Sequence, residues 1–256
     1  MVGSMIDQKL PPWPRRPALF LDFDGTLLEI AEEPHLVAPS ARLRALLPAL
    51  APATHGAIAL ISGRPIAEID SLLAPHRFAV AGIHGLERRD AAGALQHESA
   101  NATAFTELRA LLRPLAARHA GVLLEDKGRT LALHYRKRPD LAAEINRFFD
   151  VLEESLPPEL ELLPGRMVFE IKPRGTDKGR AIAAFMREAP FAGRTAVFVG
   201  DDVTDEAGFA VVNAQGGVSV KVSDGASAAH WRLAGVSAVL GWLERCTAAA
   251  AGTPVE

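Results

Sequence analysis

Short apolar runs recur along the chain at residues 18–23, 57–61, 78–83, 195–199 and 217–222, each bounded by Gly, Pro or a polar turn. Several are apolar throughout rather than alternating, which predicts strands buried on both faces, as in a parallel sheet covered by helices. Helical patterns lie between them. Ser40 is placed to cap 41–47, Pro65 opens 66–73, Asp177 precedes 178–187, and Val236, Val239, Leu240 and Leu243 mark a last helix. Strands alternating with helices predict a doubly wound, Rossmann-like α/β core with a mostly parallel sheet. The middle of the chain follows another rhythm. Phe105, Leu108, Leu111, Leu112 and Leu115 give a helical stripe, and 122–125 with 130–136 read as a hairpin turning at Asp126-Lys127-Gly128. A second helix (141–152) and a second hairpin (160–163 and 167–171, turning at Pro164-Gly165) follow. This run predicts an inserted α+β domain at 103–172 that splits the core into 1–102 and 173–256. The Ala-rich tail at 247–252 is expected to fray.

Composition narrows the function classes. With 28 Lys+Arg against 31 Asp+Glu, a net charge of −3 provides no basic field for a nucleic-acid backbone, whereas a small anionic substrate needs only a local group of cations. The single cysteine, Cys246, excludes an intramolecular disulfide and Cys-rich zinc modules. No run approaches 18 uninterrupted apolar residues, and the N-terminus lacks the basic-then-apolar layout of a secretory signal. A cytoplasmic protein without membrane or nucleic-acid partners is expected.

Chemistry concentrates at strand ends. Asp22-Phe23-Asp24-Gly25-Thr26 closes the first predicted strand, at the carboxyl edge where open α/β sheets bind ligands. Alternation along a strand would point Asp22 and Asp24 the same way. Two carboxylates so close require a cation or a raised pKa on one of them. Ile61-Ser62-Gly63-Arg64 follows the second strand and leads into a helix, where a hydroxyl and loop amides suit a phosphate; a plain turn is the alternative. Within 172–179 three cations precede or open a helix; a solvated loop is the default for such a run, and only Lys178 stands at the helix start. Gly200-Asp201-Asp202-Val203-Thr204-Asp205-Glu206 follows another buried strand, with four acidic groups in six positions that repel one another unless a cation or solvent relieves them.

This ordered set resembles the haloacid dehalogenase superfamily of phosphatases, and within it the trehalose-6-phosphate phosphatases. The narrower resemblance rests also on Gly82-Ile83-His84-Gly85-Leu86-Glu87-Arg88, His134-Tyr135-Arg136 and the segment from Glu170 to Gly179. It implies a core of that superfamily carrying a C2-type cap, and hydrolysis of the phosphoric monoester trehalose 6-phosphate through an aspartyl-phosphate. Asp22 is then the nucleophile, and Asp24 is the acid that protonates the departing sugar oxygen and the base that activates water. Mg2+ is expected on the Asp22 carboxylate, the Asp24 carbonyl and Asp201, while Asp202 and Asp205 orient waters and loop. Ser62, Gly63 and Lys178 would bind the phosphate. Arg64, Glu125, Lys127 and Glu170 are the expected substrate-binding residues, with His84 at the cleft. For Glu125 and Lys127 an exposed salt-bridged turn remains the alternative, and for His134-Tyr135-Arg136 a structural role in the hairpin. The resemblance also implies a functional link to a trehalose-6-phosphate synthase. A phosphatase of sucrose, mannosylglycerate or glucosylglycerol phosphate, or a sugar phosphomutase, would show the same core motifs. A regulatory module without turnover is disfavoured by intact Asp22, Asp24, Lys178 and Asp201.

Overall fold

The computed structural model of the chain describes residues 9–30, 38–97, 102–165 and 167–252; the N-terminal residues 1–8, read above for a leader, lie outside them. In chain order, the first part holds β1 (Pro17–Leu21), α1 (Ala41–Ala53), β2 (Ile58–Ile61), α2 (Ile66–Leu73), β3 (Ala79–Gly82), β4 (Glu87–Arg89) and β5 (Leu95–His97). The insert follows with α3 (Ala102–Arg118), β6 (Leu123–Asp126), β7 (Leu131–His134), α4 (Ala142–Ser155), β8 (Leu160–Gly165) and β9 (Val168–Pro173). The chain then returns through α5 (Lys178–Phe185), β10 (Thr195–Gly200), α6 (Glu206–Ala214), β11 (Val218–Val222), β12 (Trp231–Leu233) and α7 (Val236–Ala251).

Among the described residues, eight strands form one sheet in the order β12-β11-β10-β1-β2-β3-β4-β5. The six strands from β12 to β3 pair in parallel, and β4 and β5 extend the edge as an antiparallel hairpin. The apolar runs bury both faces as their composition requires. Leu19 and Leu21 of β1 enter one cluster with α1 and α7, while Ala18 and Phe20 enter another with α5 and α6. The four-stranded sheet β6-β7-β9-β8 of the insert is wholly antiparallel and has a third core of its own, in which Phe149 stacks on Phe169 at 4.3 Å.

Local capping fixes the helix starts. Ser40 accepts the amide of Leu43 at 3.2 Å, and Asp177 accepts that of Arg180 at 2.7 Å. Several ends differ from the expectation. Helix α1 continues past Pro48 to Ala53, because Leu50 extends the buried face of Leu43, Leu46 and Leu47 and tertiary packing offsets the missing amide. Helix α5 stops at Phe185 rather than at 187. Helix α7 extends through the Ala-rich tail to Ala251, as the helix preference of an alanine run favours. Leu111 is 46% exposed and leaves the stripe that buries Phe105, Leu108, Leu112 and Leu115.

Phe20 is fully buried against Phe191 and Phe185, with ring centroids at 5.4 and 6.1 Å. Phe20→Ala is expected to lower the unfolding free energy by about 3–5 kcal/mol in urea titration, with an unchanged m value. A loss under about 1 kcal/mol would contradict the packing described.

Candidate active site

The carboxyl ends of β10, β1, β2 and β3 lie side by side, and each contributes to one cleft of about 460 Å3. That size lies within the roughly 300–1,000 Å3 of small-molecule sites. β1 ends one residue before Asp22, whose amide still donates to the Val199 carbonyl at 2.9 Å. The turn that follows requires Gly25. Its φ is +80°, and a Cβ there would lie 2.1 Å from Asp201 Oδ2, so a side chain would expel the Asp201 carboxylate from the site.

Asp22, Asp201 and Asp205 each present an oxygen within 4.8 Å of the others. Lys178, buried at the first turn of α5, donates to Asp22 Oδ1 at 2.6 Å and Asp205 Oδ1 at 2.7 Å. Burial would strip its proton, but the Asp205 and Asp22 charges overcome that and raise its pKa well above the usual lysine value. Asp22 moves the other way from an ordinary carboxylate: burial raises its pKa, and the Asp205 and Asp201 charges raise it further against the opposing effect of Lys178. Burial and Asp205 also push Asp201 up to about 6.

The other oxygens divide the roles. Asp205 Oδ2 accepts the amides of Asp201 and Asp202 at 3.0 and 2.9 Å, so both Asp205 oxygens are engaged and the residue fixes the loop. Asp202 caps the turn from Val203 to Asp205 through a 2.7 Å bond from the Val203 amide. Asp22 Oδ2 and Asp201 Oδ1 are buried without a hydrogen-bond partner. Two orphaned carboxylate oxygens beside a third carboxylate fit a hard divalent cation, and the donor set is all oxygen. Lys221, a buried lysine within β11, donates to the Asp201 carbonyl and braces the acidic loop. A lysine inside a strand that is otherwise mostly valine is the sequence signal for that role.

Ser62 is buried after β2, where its Oγ accepts the Arg64 amide at 3.1 Å and keeps its hydroxyl proton available to donate. Asp22 and Asp24 both line the cleft but take different partners. Arg64 grips Asp24 with two bonds of 2.7 Å and also pairs with Glu68, so its fork is directed at protein carboxylates. The far wall belongs to the insert. Glu125 on β6 meets His134 Nε2 at 2.8 Å and Lys127 Nζ at 3.7 Å. Lys127 Nζ also stands 3.8 Å from Glu170 Oε1. Burial opposes ionisation of Glu125 and Glu170, yet His134 and Lys127 hold the first below the usual carboxylate range, and His84 and Lys127 hold the second well below it. Tyr135 stays in the insert core, stacked on Phe169 at 6.2 Å. Among the described residues no helix is long and apolar enough to cross a membrane.

Asp22 and Asp201 have folded-state pKa values above those of the unfolded chain. Their stabilising contribution is therefore complete below the unfolded value and is lost as pH rises, through about 6 for Asp201. A divalent cation binds the ionised carboxylates and reverses that loss. Calorimetry with and without a divalent cation should show a larger rise in Tm at about pH 8 than at about pH 5. Equal shifts, or none, would contradict a cation site here.

A family model described as trehalose-phosphatase matches residues 20–237. The trehalose-6-phosphate phosphatase of Escherichia coli (strain K12) is 48% identical over 239 residues, which cover 91% of this chain and 87% of that protein. A probable trehalose-phosphate phosphatase of Sinorhizobium fredii is 44% identical over 219 residues, 86% of this chain and 81% of that protein. The solved C-terminal domain of C. albicans trehalose-6-phosphate phosphatase shares the fold, with a TM-score of 0.83 over 92% of this chain and 94% of its own at 21% identity. Matched over most of its length, and with close to half its positions shared with one of these relatives, the chain belongs to the trehalose-phosphatase family.

Proposed function

We propose that the protein is a Mg2+-dependent phosphatase that hydrolyses trehalose 6-phosphate to trehalose and phosphate through an aspartyl-phosphate on Asp22. One observation carries the reading: Asp22 is buried with one oxygen on Lys178 and the other without a partner, at one end of a cleft whose other end presents Glu125, Lys127 and Glu170. Asp22 attacks phosphorus, the bond from phosphorus to the sugar oxygen breaks, and Asp24 gives that oxygen its proton. In the second half Asp24 takes a proton from water, the water oxygen attacks phosphorus, and Asp22 is released as a carboxylate. Ser62, the Gly63 amide and Lys178 bind the phosphoryl oxygens, where charge concentrates during transfer. Asp22, the Asp24 carbonyl and Asp201 would hold Mg2+, which would supply the neutralisation that lets an anionic nucleophile approach an anionic phosphate. Arg64 serves the substrate through Asp24, whose carboxylate it orients.

Residues 103–172 act as a cap over the core made by 1–102 and 173–256. Glu125 and Glu170 accept, and Lys127 donates, hydrogen bonds to the hydroxyls of the disaccharide. A synthase that makes trehalose 6-phosphate supplies the substrate. We assign the cytoplasm as the compartment, where the single, buried Cys246 remains a thiol.

Phosphate release from a panel of sugar phosphates, with and without Mg2+, tests the reading. Trehalose 6-phosphate is expected to exceed glucose 6-phosphate and sucrose phosphate in kcat/KM by roughly 100-fold or more, and turnover is expected to stop when the cation is chelated. Equal rates across the panel would overturn the substrate, and undiminished rates in chelator would overturn the metal requirement.

A further inference from the structure

The turn after β3 is unusual in its backbone and in what it joins. Ile83, His84 and Gly85 have φ values of +47°, +54° and +99°, three left-handed residues in succession. Isoleucine is β-branched and rarely adopts that region. Strained backbone of this kind persists where surrounding structure over-determines it, and here two bonds do so. The Ile83 amide donates to the Arg64 carbonyl and the His84 amide to the Ser62 carbonyl, each at 3.0 Å. The turn is thereby fastened to the backbone of the loop that holds Ser62 and Gly63.

The His84 side chain extends from that anchor toward the insert. It is buried, and its ring lies against Gly63, where a Cβ would come within 2.9 Å of Nε2. The same Nε2 stands 3.1 Å from Glu170 Oε2 on β9. The other oxygen of that carboxylate, Oε1, is buried without a hydrogen-bond partner, with Lys127 Nζ at 3.8 Å. One imidazole thus touches the phosphate loop on one side and a carboxylate of the insert on the other, and that carboxylate also faces Lys127 and Thr130.

We propose that His84 is a positioning residue that sets the register between the two ends of the substrate: anchored on the phosphate loop, it holds Glu170 by Oε2 so that Oε1 meets a sugar hydroxyl at a fixed distance from the phosphate. The proposal rests on the reading of Glu170 as a sugar contact. Without the ring, Glu170 regains its rotamers, and the empty space beside Gly63 lets the carboxylate move away from the hydroxyl. A small aryl phosphate does not extend to Glu170, so the damage falls on the disaccharide in particular.

The test is the ratio of kcat/KM for trehalose 6-phosphate to that for p-nitrophenyl phosphate, measured in wild type, His84→Ala, Glu170→Gln and the double variant. Each single change is expected to lower the ratio roughly tenfold, through KM for the disaccharide, and the double variant no further, because both remove one arrangement. His84→Gln, which keeps a donor at similar reach, is expected to recover a large part of the loss, and it supplies the measurement if the alanine variant does not fold. A ratio unchanged in His84→Ala, losses that multiply in the double variant, or a glutamine variant no better than alanine would overturn the proposal and leave the substrate reading standing. A wild-type enzyme with no preference for the disaccharide phosphate would overturn both.

Discussion

The ammonium of Lys178, enclosed between Asp22 and Asp205, is the interaction on which the rest of the structure depends. Removing one partner from such a buried pair leaves an uncompensated charge and costs about 3–5 kcal/mol, so the three residues must be positioned together. They come from distant parts of the chain. Asp22 follows β1, Asp205 precedes α6, and Lys178 opens α5, 156 residues after Asp22. The contact closes the core across the insert, joining its two halves at the point where a phosphate would bind. Asp205 carries the constraint onward through its second oxygen, which pins the amides of Asp201 and Asp202 and so shapes the acidic loop.

The Lys178 ammonium pairs with Asp22 and Asp205 and, among the described residues, leaves Asp201 without a side-chain cation, and that surplus defines the site. Asp22 and Asp201 each retain a buried oxygen without a partner, and burial first, with the neighbouring aspartate charges second, raises both pKa values. The opposite wall of the cleft is arranged differently. There His134, Glu125, Lys127, Glu170 and His84 follow one another as alternating donors and carboxylates, which keeps both glutamates ionised despite burial. A surplus of negative charge calls for a divalent cation at one end, and a balanced, hydrogen-bonding array suits a neutral polyhydroxylic group at the other. A sugar phosphate has both features in one molecule.

Much of this was legible in the sequence where the cause is local. Buried strands announce themselves as unbroken apolar runs, and Ser40 and Asp177 announce helix starts because each caps its own helix. The order of Asp22, Ser62, Lys178 and Asp201 placed four residues at one sheet edge, and all four line the cleft. What escaped depends on contacts between distant residues. Helix α2 receives its cap from Glu87, whose carboxylate accepts the Ile66 amide at 3.0 Å across 21 positions. Strand β4 is the charged triplet Glu87-Arg88-Arg89, held in place by the paired bonds of Arg89 to Asp70 at 2.6 Å, and nothing in its composition signals a strand. The three aspartates of one loop look alike as letters; the family resemblance, not their spacing, assigns Asp201 to the cation and Asp205 to the loop, and the backbone bonds to Asp205 supply the physical reason. The bond between His84 and Glu170 likewise needs the insert folded over the core before it exists.

Asp22, held by Lys178, is the group we propose accepts the phosphoryl. Quenching the enzyme during turnover of trehalose 6-phosphate and treating it with borohydride reduces an aspartyl-phosphate to homoserine, which peptide mass spectrometry locates by residue. Homoserine is expected at position 22, dependent on substrate. Homoserine at another carboxylate, or none at any position while phosphate is released, would contradict it.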